Sequence, residues 1–523
     1  MFLKLSFRTF LFAMPVLFAG CASVQKHNEK RLKPIPVAQL QEDIDYVQNK
    51  LIKLHPGSDL YITKEQLAFK FDSIRKVVNK PMTSNEFYTV ISPVVASVRQ
   101  GHMAMMPMSV KLTKEQQKKY KQAGDGPLSQ FKFEWENNKL YILKNNSNVK
   151  EIKEGTEVLS IKDRKPQEIY AKYKASVTSD GYNTTFLWKY FNKRFTTFLT
   201  EEIGFNDSLS FTLKYKDSVY DKMICRKKKD KKENKPLTEK QEERLVTKDI
   251  IKKKNKNKRI FGYDEKTKEF SKSLRFIGKD TTVAYLKIND FVDGNFKKAY
   301  KVIFDSIKKS GSKTLVMDLR DNPGGRMSEI LNLYSYLTPE DFIMTEPAVV
   351  TSKTSLWKLG LFPRVPKLAY PFIGAFYPVY MGVSYFKVKK GDDGKYYYHL
   401  SASKTQKHNP NHFNGKVYVL INGGSFSASC IISSALKANK DITFVGEETG
   451  GDFNGTVAGI MPVLKLPNSE IQWRLGLMHI KPVKQTDVKG HGIYPDKEII
   501  QTIEDKVNKK DPELEWILND IYK

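Results

Sequence analysis

A chain of 523 residues with 40% hydrophobic and 12% aromatic side chains has room for about three domains and a full hydrophobic core, so it is neither a peptide nor a disordered tail. Lys and Arg number 88 against 58 Asp and Glu, a formal charge of +30. Residues 226–258 hold 15 basic and 6 acidic side chains, a local +9, and the rest of the excess is spread along the chain. That low-complexity run lacks interleaved aromatics for base stacking, and no zinc-finger, RNP or basic-zipper signature accompanies it. It reads as a solvated insertion, and no nucleic-acid partner is expected.

At the N-terminus Lys4 and Arg8 precede the apolar stretch Phe10 to Phe18, then the small residues Ala19 and Gly20, and Cys21. Residues 1–20 have the layout of a signal peptide and are too short for a comfortable membrane span. Leu17-Phe18-Ala19-Gly20-Cys21 resembles a bacterial lipobox, which implies acylation of Cys21 and a linker over 21–36. A plain secretory signal is the alternative. With Cys21 acylated, Cys225 and Cys430 remain, and no disulfide framework is implied.

Residues 37–126 read as helical. Leu40, Ile44, Val47, Leu51 and Leu54 recur at three and four, as do Leu67, Phe71, Ile74 and Val77. A third helix, about Phe87 to Val98, follows the capping candidates Thr83, Ser84 and Asn85. Gly101 suits the left-handed position past its end, and His102 opens a Met-rich segment. Residues 127–225 read as a small domain built largely of strands. The Lys-rich insertion occupies 226–260.

From 281 to 505 the pattern is strand (Val283 to Ile288), helix (Phe296 to Lys309), strand (Thr314 to Leu319) and a helix from Ser328. It resumes with a strand (Lys416 to Ile421), a helix (Ala428 to Ala438) and a strand (Ile442 to Val445). This order implies a parallel sheet with right-handed crossovers. An aromatic insertion, 345–413, separates the two units; its apolar part carries Pro363, Pro366, Pro371 and Pro378 and is expected as an irregular packed loop or a lid. Residues 506–523 read as a C-terminal helix.

Two Gly-rich turns end buried-type strands, Asp318-Leu319-Arg320-Asp321-Asn322-Pro323-Gly324-Gly325 and Asn422-Gly423-Gly424-Ser425-Phe426-Ser427-Ala428-Ser429. Each alone could be a plain turn with capping serines. Together, at strand C-termini of one parallel sheet, they mark a cleft where helix N-terminal amides can hold an anion.

These two turns, with Gly446-Glu447-Glu448-Thr449-Gly450-Gly451 and Gly492-Ile493-Tyr494-Pro495-Asp496 in the same order, resemble the tail-specific (C-terminal processing) protease family over about 281–505. The resemblance implies an α/β fold: a crotonase-like core behind a helical N-terminal region and a PDZ-like, β-rich domain, here 127–225. It also implies Ser427 as nucleophile and the Gly324 and Ala428 amides as oxyanion hole, with no metal and no cofactor.

The base departs from the Ser/Lys pattern, because Gly450, Gly451, Asp452, Phe453 and Asn454 stand where a lysine is usual. Histidine suits the role near neutrality. The helix-Gly-His102 arrangement resembles the histidine turn of the family's tricorn branch, which uses Ser, His and a carboxylate. Where that branch has a glutamate this chain has Lys489 nearby, and Asp487 is the nearest carboxylate, with Glu447 and Asp452 as rivals. His491 is a second candidate base. His408 and His412 have helical metal spacing but no third ligand in view. Cys430, one turn beyond Ser427, reads as a packing residue.

The expectation is a periplasmic serine endopeptidase, tethered to a bacterial membrane through its lipid anchor and acting on a peptide or protein substrate. A catalytically inactive binding protein on the same fold, and a small-substrate esterase, are the alternatives. The oligomeric state is left open by the sequence.

Overall fold

The computed structural model describes residues 24–228, 254–265, 267–280, 282–357, 370–438 and 441–523. The expected signal peptide, Cys21 and most of the Lys-rich insertion lie outside the described residues.

A helical segment over 24–32, within the stretch expected as a linker, opens the described chain, and three helices follow: α1 (Val37–Leu54), α2 (Lys64–Val77) and α3 (Ser84–Ala96). The buried stripe of α1 includes Leu40, Ile44, Val47, Leu51 and Leu54, and that of α2 includes Leu67, Phe71 and Ile74, whereas Val77 at the end of α2 is exposed. Thr83 caps α3 in a reciprocal box with Glu86, which starts that helix three residues before Phe87. The left-handed residue beyond α3 is Arg99, at φ 57°, and Gly101 serves another purpose. A Cβ there would stand 2.8 Å from the Phe426 ring. Strand β1 (Ala104–Met106) and α4 (Lys114–Ala123) follow.

Residues 131–225 form an antiparallel meander of β2 (Phe131–Glu136), β3 (Lys139–Asn145), β4 (Thr156–Ile161), β5 (Ser208–Tyr215) and β6 (Ser218–Cys225), hydrogen-bonded in that order. Between β4 and β5 the chain makes two helices that strand-centred reading omits, α5 (Pro166–Tyr173) and α6 (Thr185–Ile203). The residues of α6 are largely aromatic and β-branched, which favours strand locally. Burial of Phe191, Phe195, Phe198 and Leu199 at helical spacing decides for the helix.

The chain then runs through β7 (Lys272–Ile277), β8 (Val283–Ile288), α7 (Phe296–Ser310), β9 (Thr314–Asp318) and α8 (Met327–Ser335). The insertion supplies β10 (Ala348–Val350), α9 (Tyr370–Lys387), β11 (Val388–Lys390) and β12 (Tyr396–Tyr398). Next come β13 (Lys416–Ile421), α10 (Ala428–Lys437), β14 (Ile442–Gly446), β15 (Thr456–Ala458), β16 (Val463–Lys465), β17 (Gln472–Arg474), β18 (Met478–Ile480) and β19 (Lys497–Glu498). The chain closes with α11 (Ile503–Val507) and α12 (Pro512–Ile521).

The central sheet has the order β19-β14-β13-β9-β8-β7, parallel throughout except at the β8–β7 edge. Its middle strands are buried on both faces, which is why they read as unbroken apolar runs. One face packs on the main core; the other buries Val283, Tyr285, Val316, Tyr418, Leu420 and Val445 against Ile517 of α12.

A second, antiparallel sheet has the order β11-β12-β10-β18-β15, and a third, β1-β17-β16, brings the segment after His102 onto Gln472–Arg474. The proline-bearing stretch expected as an irregular loop contains the 18-residue helix α9. Pro371 is tolerated in its first turn, where its missing N–H has no intrahelical partner, and Pro378 is accommodated inside. Among the described residues no helix is long and apolar enough to cross a membrane.

Candidate active site

The two Gly-rich turns are laced together by two asparagines. The Asn422 side-chain oxygen accepts from Asp321 N–H and Gly424 N–H, both at 2.9 Å. The Asn322 carbonyl accepts from Phe426 N–H at 3.0 Å and from the Ser429 hydroxyl at 3.0 Å. Ser425 is spent structurally: its hydroxyl donates to Leu319 O at 2.7 Å. Glu447 accepts from Gly423 N–H at 3.1 Å, so this rival carboxylate anchors the turn.

Ser427 precedes the first residue of α10 with φ 59° and ψ −119°, backbone that a residue with a Cβ rarely adopts. Such strain persists only where surroundings over-determine it, as this lacing does. It turns the side chain out of the helix and leaves the Ala428 N–H without an acceptor among the described residues. Gly324 lies against this point, since a Cβ on it would be 2.7 Å from both Ser427 Cβ and Ala428 N. Its own N–H is bonded to Asn322 Oδ1 at 2.9 Å, whereas the Gly325 N–H has no acceptor among the described residues.

His102 arrives from the helical region. Its Nε2 is 2.9 Å from Ser427 Oγ and its Nδ1 is 2.9 Å from Thr456 Oγ1 on β15. The ring stacks on Phe426 at 4.6 Å, and Phe426 stacks on Phe186 of α6 at 4.3 Å. Arg474 Nε donates to the His102 carbonyl at 2.7 Å, tying the histidine turn to β17. Burial, assisted by the Arg474 charge, holds the imidazole pKa down at about 3, so the ring is neutral, and the same burial makes it a weaker base than free imidazole.

Behind Thr456 lies Asp180, 1% exposed, from the segment between α5 and α6. Gly101 N–H donates to its Oδ1 at 2.7 Å, and Oδ2 has no hydrogen-bond partner among the described residues. Burial pushes its pKa up to about 7; the Asp452 carboxylate adds to the rise, while the Gly101 N–H and the Thr456 hydroxyl oppose it. Asp452 is itself buried and raised, and it accepts from the Tyr61 hydroxyl and from Gly490 N–H at 3.0 Å.

Of the residues expected from sequence, Ser427, His102, Gly324 and Ala428 meet at one point. Asp487 does not join them: it is exposed, and the Nδ1 position expected for a carboxylate is taken by Thr456. Asp452 stands one layer further back, beside Asp180. His491 is 3.3 Å from Glu448 and His408 is 3.0 Å from Asp341, so neither serves Ser427. Among the described residues no cluster of three or more His, Cys, Asp or Glu could hold a metal. Cys430 is buried, donates to Ser425 O at 3.2 Å and has its pKa raised to about 12 by burial, which keeps the thiol protonated. Thr456 and Asp180 carry no sequence signal, since each sits in ordinary turn chemistry.

Residues 282–499 match the family model described as peptidase family S41. A carboxy-terminal-processing protease from Bartonella bacilliformis is 25% identical over 227 residues, 43% of this chain; the match spans 40% of that relative's length. The crystal structure of mature CPAF is similar with a TM-score of 0.59 at 13% identity, covering 93% of this chain and 96% of that one. A second structure, mature CPAF complexed with lactacystin, gives 0.58 at 12% identity, covering 93% and 97%. The mixed α/β fold is thus shared almost end to end with mature CPAF, and the segment that bears Ser427 is similar to peptidase family S41.

Proposed function

We propose that this protein hydrolyses peptide bonds through an acyl-enzyme on Ser427, with His102 as general base and acid. The observation that carries the reading is the 2.9 Å contact between His102 Nε2 and Ser427 Oγ in a site where the imidazole is held neutral. Ser427 Oγ attacks the scissile carbonyl carbon while His102 Nε2 takes the hydroxyl proton. The tetrahedral oxyanion accepts from the Ala428 N–H and from the Gly324–Gly325 turn, where the Gly324 N–H is shared with Asn322 Oδ1. Collapse expels the amine, which receives the proton from His102, and water repeats the sequence on the acyl-enzyme to free Ser427 and a carboxylic acid.

Thr456 takes the orienting role that an aspartate has in the Ser-His-Asp arrangement. Its hydroxyl accepts from Nδ1–H and lies in the field of Asp180, so charge that develops on His102 is answered from the buried carboxylate. On this reading the enzyme is an exported endopeptidase facing the periplasm, tethered through Cys21, with peptides or proteins as substrates. The basic, apolar and small residues of 4–21 support the location, and the family match supports the substrate class.

The test is fluorophosphonate labelling of the purified protein beside Ser427→Ala and His102→Ala, followed by cleavage of a peptide library. Labelling lost in both variants together with peptide cleavage is the expected result. A folded wild-type protein that neither labels nor cleaves would make this a binding protein, and labelling with turnover of esters alone would make it an esterase.

A further inference from the structure

We propose that the exposed face of α9 is a docking surface for an anionic lipid bilayer, a contact separate from any N-terminal anchor. Phe376, Val379, Val383 and Phe386 are 71%, 63%, 49% and 79% exposed. At 3.6 residues per turn they fall within roughly 80° of arc, forming one apolar stripe about 15 Å long. The opposite face is fixed to the protein: the Tyr377 hydroxyl donates to Trp357 O, Tyr380 Oη to Leu356 O at 3.2 Å, and Trp357 Nε1 to Met381 O at 2.9 Å. The helix is therefore held through tyrosine hydroxyls and a backbone carbonyl with its phenyl rings outward.

Charge chooses lipid as the occupant. Lys387, Lys389 and Lys390 are exposed directly after the stripe, in a chain of net charge +30. Asp392 and Asp393 in the next turn offset two of these charges, although Asp393 is engaged with Lys395 and Tyr397. An apolar stripe of Phe and Val with lysines clustered at one end suits a helix lying in an anionic headgroup layer. The four exposed side chains offer roughly 400–500 Å² of apolar surface, about half of the ~800 Å² that each partner buries in a standard protein interface. A lipid surface needs no such shape-matched area. The sheet order puts β11, which continues α9, at one edge and β15, which carries Thr456, at the other. Four strand spacings, about 19 Å, thus separate β11, which follows the stripe, from the catalytic strand.

The experiment uses the full chain carrying Cys21→Ser, so that no acyl group can anchor it, with Phe376→Trp as reporter. The control is Phe69→Trp, a 72% exposed position on α2. Vesicles of dibrominated phosphatidylcholine mixed with phosphatidylglycerol should quench fluorescence in the Phe376→Trp protein well beyond the control. In the same background Lys389→Gln and Lys390→Gln should each raise the lipid concentration for half-quenching about fivefold, the factor equivalent to ~1 kcal/mol per lysine near an anionic surface. Equal quenching at the two positions overturns the proposal. So does a protein that shows no quenching but is a dimer in solution and becomes monomeric in a folded Phe376→Asp/Phe386→Asp variant, because the stripe would then belong to a second copy.

Discussion

His102 and Thr456 are 354 residues apart in the chain, yet imidazole Nδ1 and hydroxyl Oγ1 meet at 2.9 Å. One comes from the turn after α3 and the other begins β15, so the base of the site is assembled only when the helical region docks on the catalytic core. A hydroxyl orients the ring as a carboxylate would, without adding charge beside it.

Thr456→Val is nearly isosteric and removes the hydroxyl alone. It should lower kcat about 10- to 100-fold, the scale of one lost hydrogen bond to a group that becomes charged in the transition state, with little change in KM. Thr456→Ser should restore most of the rate. Steady-state kinetics on a cleavable peptide measures both, and an undiminished Thr456→Val enzyme would remove the hydroxyl from the mechanism.

The pH profile should report Asp180 and not His102. With the imidazole pKa at about 3 the base is neutral throughout the physiological range, whereas Asp180, at about 7, gains its charge across it. We expect kcat/KM to rise through an apparent pKa near 7 and Asp180→Asn to abolish that step. Stability has the opposite sign. A carboxyl whose folded pKa lies above its unfolded value contributes fully below the unfolded pKa and loses that contribution as pH rises through about 7. Asp180→Asn should therefore raise Tm relative to wild type at pH about 8 and not at pH about 4. A step near 7 that survives in the variant would assign the titration to another group.

Much of this site is legible from local sequence because its main parts are backbone devices. The Gly-rich turns, the strand-turn-helix around Ser427 and the helix-Gly-His102 step each lie within a dozen residues, so their positions can be read as written, while the roles given to Ser427 and His102 come from the family resemblance. Thr456 and Asp180 could not be read so. Each matters only through contacts far along the chain, 354 residues for Thr456 with His102 and 79 for Asp180 with Gly101, and nothing in Asn454-Gly455-Thr456 or Ser179-Asp180-Gly181 distinguishes them from plain turns. The same limit applies to α6 and α9. Aromatic and β-branched content argues against helix in the first and prolines do so in the second, while packing on neighbouring elements decides both.

Beneath the β7 edge, Lys272 and Glu329 form a fully buried ion pair at 2.8 Å. Tyr300 Oη and Arg326 also hold the glutamate, at 3.1 and 2.9 Å, and Lys272 Nζ donates to Asp293 O at 2.6 Å. Lys272→Met leaves a buried carboxylate short of its cation and should cost about 3–5 kcal/mol. Lys272→Met/Glu329→Gln should recover much of that loss. Urea denaturation with a shared slope gives the comparison, and a single variant as stable as wild type would show that Arg326 suffices for Glu329.

Gly101 tests whether the aromatic stack sets the histidine. Its φ is not in the left-handed region, so alanine is allowed by the backbone, but the new Cβ would lie 2.8 Å from Phe426 Cζ and 3.2 Å from Asp180 N. The phenyl ring is stacked between His102 at 4.6 Å and Phe186 at 4.3 Å and can yield only by pushing one of them. Gly101→Ala should cost about 1–3 kcal/mol of stability, the range for an overpacked interior. It should also slow fluorophosphonate labelling of Ser427, because a ring displaced by even half an ångström loses its line to Oγ. Gly101→Ala/Phe426→Leu removes the clash at the ring edge, so recovery of labelling in the double variant would trace the defect to the stack. A double variant as slow as the single one would trace it to the Asp180 backbone.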